Sequence, residues 1–154
     1  MKQLVISLFL MLNSILTFGQ SDIKLIRIKE YSFIEISPET LIKLLNQTME
    51  EWVDLMKKNG YEKMDDSNGI VIYSKGKLGE QFQAIAKNKL GVISVDWYDS
   101  DGTSMTQKIE KGIKKFFFKK DKNISYYTYN KYIIGLESTR ESDYAFERVY
   151  IKRQ

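Results

Sequence analysis

Apolar positions change their spacing several times along this chain, and each change marks an element. Residues 4–18 form a nearly continuous apolar run. From 23 to 36 the pattern alternates, with Tyr31, Phe33 and Glu35 on one side and Ser32, Ile34 and Ile36 on the other, which predicts one or two strands. The spacing then widens to three and four. Leu41, Leu44, Leu45, Thr48, Trp52, Leu55 and Met56 make a single stripe, with Lys43, Asn46, Gln47, Glu50, Asp54 and Lys57 on the other faces, the mark of one amphipathic helix. Ser37 is placed to cap it, Pro38 suits its first position, Glu39 meets its positive end, and Asn59-Gly60 ends it.

Short strands are expected next, at about 61–64, 70–75, 81–87 and 91–98, with Asp65-Asp66-Ser67-Asn68-Gly69 and Lys75-Gly76-Lys77-Leu78-Gly79 as hairpin loops. Alternation groups Phe82, Ala84 and Ala86 on one strand face, and Ile93, Val95 and Trp97 on a face of the next. These two sets are the expected core. A second helix is expected from near Thr103, where Ser104-Met105-Thr106-Gln107 fits a capping box and Met105, Ile109, Ile113 and Phe116 form a stripe. Gly112 inside it costs about 1 kcal/mol relative to alanine. Phe117-Phe118, 124–129, 132–137 and 144–152 are rich in aromatic and β-branched residues and predict further strands.

In order, these elements read as a strand, a helix and three strands given twice, over about 31–88 and 91–153. Faint echoes accompany that reading: Lys57-Lys58 before Tyr61 matches Lys114-Lys115 before Phe118, and Lys63 falls opposite Lys120. Identity between the halves is too sparse to establish a duplication, and the last strands match only with an insertion in the second half. With or without a repeat, the expected fold is α+β, a mostly antiparallel sheet with two helices packed on one face.

The N-terminal run sets the expected compartment. Lys2, the apolar stretch, and Thr17-Phe18-Gly19 before Gln20 have the charge, length and small-residue order of a secretory signal. Residues 1–19 are therefore expected to be removed, and 20–154 to form a single domain of 135 residues (154 − 19). The rival is a retained anchor. Spanning a bilayer takes about 20 apolar residues, whereas this run is shorter, is interrupted by Ser7, Asn13, Ser14 and Thr17, and has no basic cluster behind it. No transmembrane segment is expected after cleavage. The chain has no cysteine, which in an exported protein fits a bacterial periplasmic or secreted setting and removes any lipid anchor on a cysteine. In that setting the glycosylation match at Asn123-Ile124-Ser125 carries no weight.

The net charge of +4 becomes +3 once Lys2 leaves (4 − 1). That surplus is weak for a nucleic-acid binder, and nucleic acid is not an expected partner. The absence of histidine excludes more. Without imidazole or thiol there is no Ser-His-Asp or Cys-His hydrolysis and none of the usual zinc or copper ligand sets, so no cofactor is expected. Carboxylate, Ser/Lys and tyrosine chemistry remain, with hard cations held by oxygen.

Three clusters merit weighing. Asp96, Asp99 and Asp101 precede Gly102, but in the calcium-loop register the first and twelfth positions would be Trp97 and Lys108, so a polar loop is the better reading and no metal site is expected. Lys108, Lys111, Lys114, Lys115, Lys119, Lys120 and Lys122 make a basic stretch that suits an anionic surface, or simply the solvated faces of a helix and a strand. Tyr126, Tyr127, Tyr129, Tyr132, Tyr144, Phe146 and Tyr150 are too dense to lie on one side of a sheet, so some must face outward, where tyrosine serves recognition. A glycosidase would need a carboxylate pair; Glu35, Glu80, Glu137, Glu141 and Glu147 are available, and no spacing couples any two.

The pattern favours an exported, non-enzymatic binding protein that engages another protein or an envelope component through its sheet face. Tyr126, Tyr127, Tyr129, Tyr132, Tyr144 and Tyr150, with Lys111 and Lys115, are its candidate binding residues. The alternatives are a small carboxylate-dependent hydrolase of envelope glycans and a structural envelope protein with no discrete ligand. No motif names the partner or fixes the oligomeric state.

Overall fold

The computed structural model describes residues 23–101, 104–141 and 144–154, so the expected signal segment lies outside the described residues. A hairpin of β1 (Leu25–Ile28) and β2 (Tyr31–Ile34) opens the fold as a two-stranded sheet of its own. Helices α1 (Pro38–Asn46) and α2 (Met49–Lys58) precede a meander of β3 (Glu62–Ser67), β4 (Ile70–Lys77), β5 (Gln81–Asn88) and β6 (Val92–Asp99). Helix α3 (Met105–Ile113) and a 3-10 turn (Lys114–Phe116) precede a second meander of β7 (Phe117–Asp121), β8 (Ile124–Tyr129), β9 (Tyr132–Glu141) and β10 (Tyr144–Arg153). The eight strands form one antiparallel sheet in the order β3-β4-β5-β6-β10-β9-β8-β7. The fold is α+β, with helices packed against a large antiparallel sheet. No helix among the described residues is long and apolar enough to cross a membrane.

The stripe expected to make one helix makes two. Gln47 is already extended, and Thr48 starts α2 with a capping box: its hydroxyl accepts from Glu51 N at 3.2 Å, while the Glu51 carboxylate accepts from Thr48 N at 2.8 Å. Thr48-Met49-Glu50-Glu51 spells that box. Trp52 and Met56 keep the apolar side of α2 buried, so the break changes direction without losing core.

The expected loops are shorter than their polar composition suggests. β3 runs on through Asp65, Asp66 and Ser67, leaving only Asn68 and Gly69, with φ of 52° and 75°, to turn the chain. Two successive left-handed residues give the hairpin turn whose twist suits the strands. Likewise β4 includes Lys75, Gly76 and Lys77. Gly76 has φ +89°, and an added Cβ would lie 2.2 Å from the Gln81 carbonyl oxygen, so only glycine fits that approach.

The repeat is present in a different frame from strand-helix-three-strands. Tyr31–Ile34 belongs to the small hairpin sheet, and β6 closes the first meander instead of opening the second. The first half is therefore two helices followed by four strands, and the second is one helix and a 3-10 turn followed by four strands. Residues of β3 and β4 match those 54 positions later in β7 and β8: Lys63 lies opposite Tyr73 as Phe117 lies opposite Tyr127, and a register shift follows in both. At the centre β6 pairs with β10, Ser94 opposite Tyr150, flanked by Ile93 with Ile151 and Val95 with Val149. The halves thus meet about an approximate two-fold through the Ser94–Tyr150 pair. The lysine echoes, spaced by 57, do not fall on equivalent positions.

Helices α1 and α3 pack on the central strands β6, β9 and β10, and Trp52 of α2 meets Tyr73 of β4 edge-on at 5.5 Å. Ile93, Val95 and Trp97 face this helical layer, as expected, with Ile134, Leu136, Val149 and Ile151 beside them. β5 meets the expectation only in part: Phe82 and Ala84 are buried, but on the other face of the sheet. Gln83, Ile85 and Lys87 lie opposite Trp97, Val95 and Ile93, so Phe82, Ala84 and Ala86 point to the other face. Alternation misleads there because the inward positions hold two buried polar residues, each with backbone partners. Lys87 Nζ donates to the carbonyls of Leu44 (2.8 Å), Leu45 (3.3 Å) and Gln47 (2.5 Å), closing the C-terminal end of α1. Gln83 Nε2 donates to Ile34 O, Tyr61 Oη donates to Gln83 Oε1, and Ile34 N donates to Tyr61 Oη, a closed ring that fastens the small hairpin to the main sheet.

Candidate functional site

Strand alternation leaves the second sheet face without a helix among the described residues, and that face carries an arginine–carboxylate pair flanked by aromatic rings. Its centre is Arg148 on β10, opposite Asp96 on β6 and Glu137 on β9. The guanidinium grips Asp96 with two nitrogens, Nη2 reaching Oδ2 at 2.9 Å and Nε bonding Oδ1. Hydrogen bonding to Asp96 raises the Arg148 pKa further above its ordinary value. Both side chains are a little over a quarter exposed (29% and 28%), so the pair is visible from solvent yet partly desolvated. Bidentate geometry makes such a pair a stiff, oriented feature.

Aromatic groups flank it on both sides. Toward β5, Phe146 packs against Phe82 (ring centroids 6.4 Å, near-perpendicular) and against Tyr98 (5.8 Å). Toward β8, the Tyr126 and Tyr150 rings close over Gly135, where a Cβ would lie 3.3 Å from Tyr126 Cε1 and 3.4 Å from Tyr150 Cδ2. The missing side chain at Gly135 lets both rings lie down on the sheet. Tyr150 Oη donates to Glu137 Oε2 at 2.6 Å, and Asn123 Nδ2 donates to Glu137 Oε1 at 2.8 Å. Burial, followed by the Glu137 hydrogen bond, pushes the Tyr150 hydroxyl up to about 12, so it stays a donor throughout the ordinary pH range. Lys119 Nζ stands 5.2 Å from the Tyr126 ring centre.

The eight candidate residues do not gather in one place. Tyr126 and Tyr150 lie on the open face. Tyr127 and Tyr132 face the helices and are buried, Tyr127 donating to Glu110 at 2.7 Å. Tyr129 is on the helical side too, donating to Glu39 at 2.7 Å; this bond lowers the Glu39 pKa and raises that of Tyr129. Tyr144 pairs with Glu141 through the backbone register, and its side chain lies outside the described residues. Lys111 and Lys115 are exposed on α3 and the 3-10 turn, across the sheet from Tyr126 and Tyr150. Arg148 and Tyr98 were not among the candidates, although period-two reading of 144–152 sets Phe146, Arg148 and Tyr150 on one face.

The acidic residues are dispersed. Asp96 serves Arg148, Asp99 Oδ1 accepts from Asp101 N at 2.9 Å, and Asp101 pairs with Lys29 at 3.2 Å; Gly102 lies outside the described residues. No group of three metal-ligating side chains occurs among the described residues. Glu35 pairs with Lys24 and Glu80 with Lys77, both at 2.8 Å. Glu147 takes donors from Ser104 Oγ, Met105 N, Thr106 N and Thr106 Oγ1, capping α3, whose first turn has no acid of its own. The Glu141 side chain lies outside the described residues. The carboxylates with shifted pKa values, Glu39, Glu51 and Glu80, all move down, the reverse of what a general acid needs.

The two ends of the sheet are also distinct. β3 is acidic, with Glu62, Asp65 and Asp66, and β7 is basic, with Lys119 and Lys120; both strands are exposed throughout. Met64 and Phe118, at the register shifts of these edges, are 59% and 60% exposed. Charge and bulges of this kind keep an edge from pairing indiscriminately. No family model, no curated protein and no solved structure matches this chain.

Proposed function

We propose that the protein is an exported, non-enzymatic binding protein that engages another protein or an envelope component through the open face of its sheet. The observation that carries this reading is the Arg148–Asp96 pair held between the Phe82/Tyr98/Phe146 and Tyr126/Tyr150 groups on the sheet face that no helix covers among the described residues. Tyrosine and arginine are the residue types in which binding energy concentrates at interfaces, and fixed rings lose little entropy on contact. Export rests on the N-terminal pattern of Lys2, the apolar run and Thr17-Phe18-Gly19.

The test is capture from the envelope fraction of the host by the tagged domain, run beside a Ser94→Lys variant. Ser94 sits mid-face opposite Ala86 and Tyr150, so lysine adds bulk and charge there. The reading predicts a stoichiometric partner that survives moderate salt, lost with Ser94→Lys while the melting temperature falls by no more than several degrees, as for a half-buried substitution costing about 1 kcal/mol. Capture that Ser94→Lys leaves intact would refute the face as the binding surface.

A further inference from the structure

On the opposite side of the sheet, a cleft of 220 Å³ opens between α3 and the segment that joins β2 to α1. Trp97 and Gln83 form its floor, Ile34 and Ile36 one wall, and Met105 and Ile109 the other. These apolar residues are buried, yet they leave an unfilled space between the helical portions of the two halves. Its size lies between the roughly 150 Å³ that accommodates benzene and the roughly 300 Å³ where drug-sized pockets begin. One aromatic ring with a short arm, or a comparably small aliphatic body, matches it.

Gly112 and Lys108 define the lip. They are one helical turn apart on α3, so they share a side of the helix. An added Cβ at Gly112 would meet nothing within 4 Å, so no close approach of the backbone requires glycine there. Gly112 lies in the last turn of α3, where glycine still forms helix less readily than alanine. What it leaves is an open mouth to the cleft. The charges at the rim are unequal: Glu35 is paired with Lys24 at 2.8 Å, whereas among the described residues no carboxylate lies within ion-pairing distance of exposed Lys108. The rim thus offers one cation to an incoming anion.

We propose that this cleft binds small monocarboxylates with a compact apolar body, the body seated over Trp97 and the carboxylate held at Lys108. The site is independent of the sheet-face reading. The test is titration of the ¹⁵N-labelled domain with 3-phenylpropanoate and, separately, with neutral 3-phenylpropan-1-ol. The expected result is saturable shifts at the Trp97 indole, Ile109 and Gly112, with a dissociation constant for the acid of about 1 mM, the scale that a ligand of this size supports. Lys108→Gln weakens the acid by about fivefold, the upper end for a solvent-accessible ion pair, and leaves the alcohol unchanged. Gly112→Leu, which fills the mouth, abolishes binding of both. No saturation by roughly 10 mM acid, well beyond that expected constant, overturns the site. Undiminished binding to Gly112→Leu overturns its location, and equal affinity for acid and alcohol overturns the role of Lys108.

Discussion

Lys87 shows how much a single buried polar residue directs this fold. The residue is 5% exposed, and its ammonium supplies the donors for three carbonyls at the end of α1, where the helix dipole also favours a cation. Lys87→Met is expected to cost about 2 kcal/mol at pH 7, because the orphaned carbonyls outweigh relief of the buried charge. Burial pushes the Lys87 pKa down to about 8 from its ordinary 10.5. Between those values the unfolded chain holds a proton that the folded one has shed, so stability rises with pH over that window. Above pH 10 the tyrosines act in the opposite sense, since Tyr127 and Tyr150, pushed up to about 12, keep protons that the unfolded chain has lost. Urea unfolding from pH 7 to 10 therefore shows wild-type stability rising above pH 8 and a shallower rise for Lys87→Met, in which Lys75, also lowered by burial, still contributes in that sense. A parallel rise in both proteins would contradict this assignment. Alternation along β5 pointed the wrong way at this residue because hydrophobic patterning has no term for a lysine whose acceptors lie 40 or more positions away.

At the scale of elements, local signals were most legible where the chain itself supplies the partner. Ser37-Pro38-Glu39 does start α1, and Ser104 does cap α3 by accepting from Gln107 N at 3.1 Å. The Thr48 capping box was equally local, and the continuous apolar stripe masked it. Thr48→Ala is expected to lower stability by about 1 kcal/mol, seen as a lower denaturation midpoint with an unchanged slope. A loss below roughly 0.3 kcal/mol would mean that packing of Trp52, not the cap, fixes the start of α2. Glu147 was not legible in this role: it caps α3 from β10, 41 residues beyond Thr106, and only the assembled sheet brings them together. The strand-rich C-terminal half was readable from its aromatic and β-branched content. Strand ends were less so, because Asp65, Asp66 and Ser67 look like a loop but sit at a sheet edge, where polar side chains are favoured.

The whole molecule is two helix-plus-meander halves joined through their last strands, β6 and β10. This geometry places the Ser94–Tyr150 pair on the approximate two-fold and the acidic and basic strands at opposite ends. The sequence hinted at repetition, but the halves match in strand register and hardly in residue identity, which is why the frame was not readable from the lysine echoes. The tyrosine cluster foresaw outward tyrosines without saying which. Register decides that question, sending Tyr126 and Tyr150 to the open face and Tyr127, Tyr129 and Tyr132 to the helices. The most direct test of the open face as a binding surface is hydroxyl-radical footprinting of the domain alone and in complex with its captured partner. Binding at the open face reduces oxidation of Tyr98, Tyr126, Phe146 and Tyr150 and leaves Met64 and Phe118 unchanged. Protection of Met64 or Phe118 with no change at those four residues would place the partner on a sheet edge and contradict it.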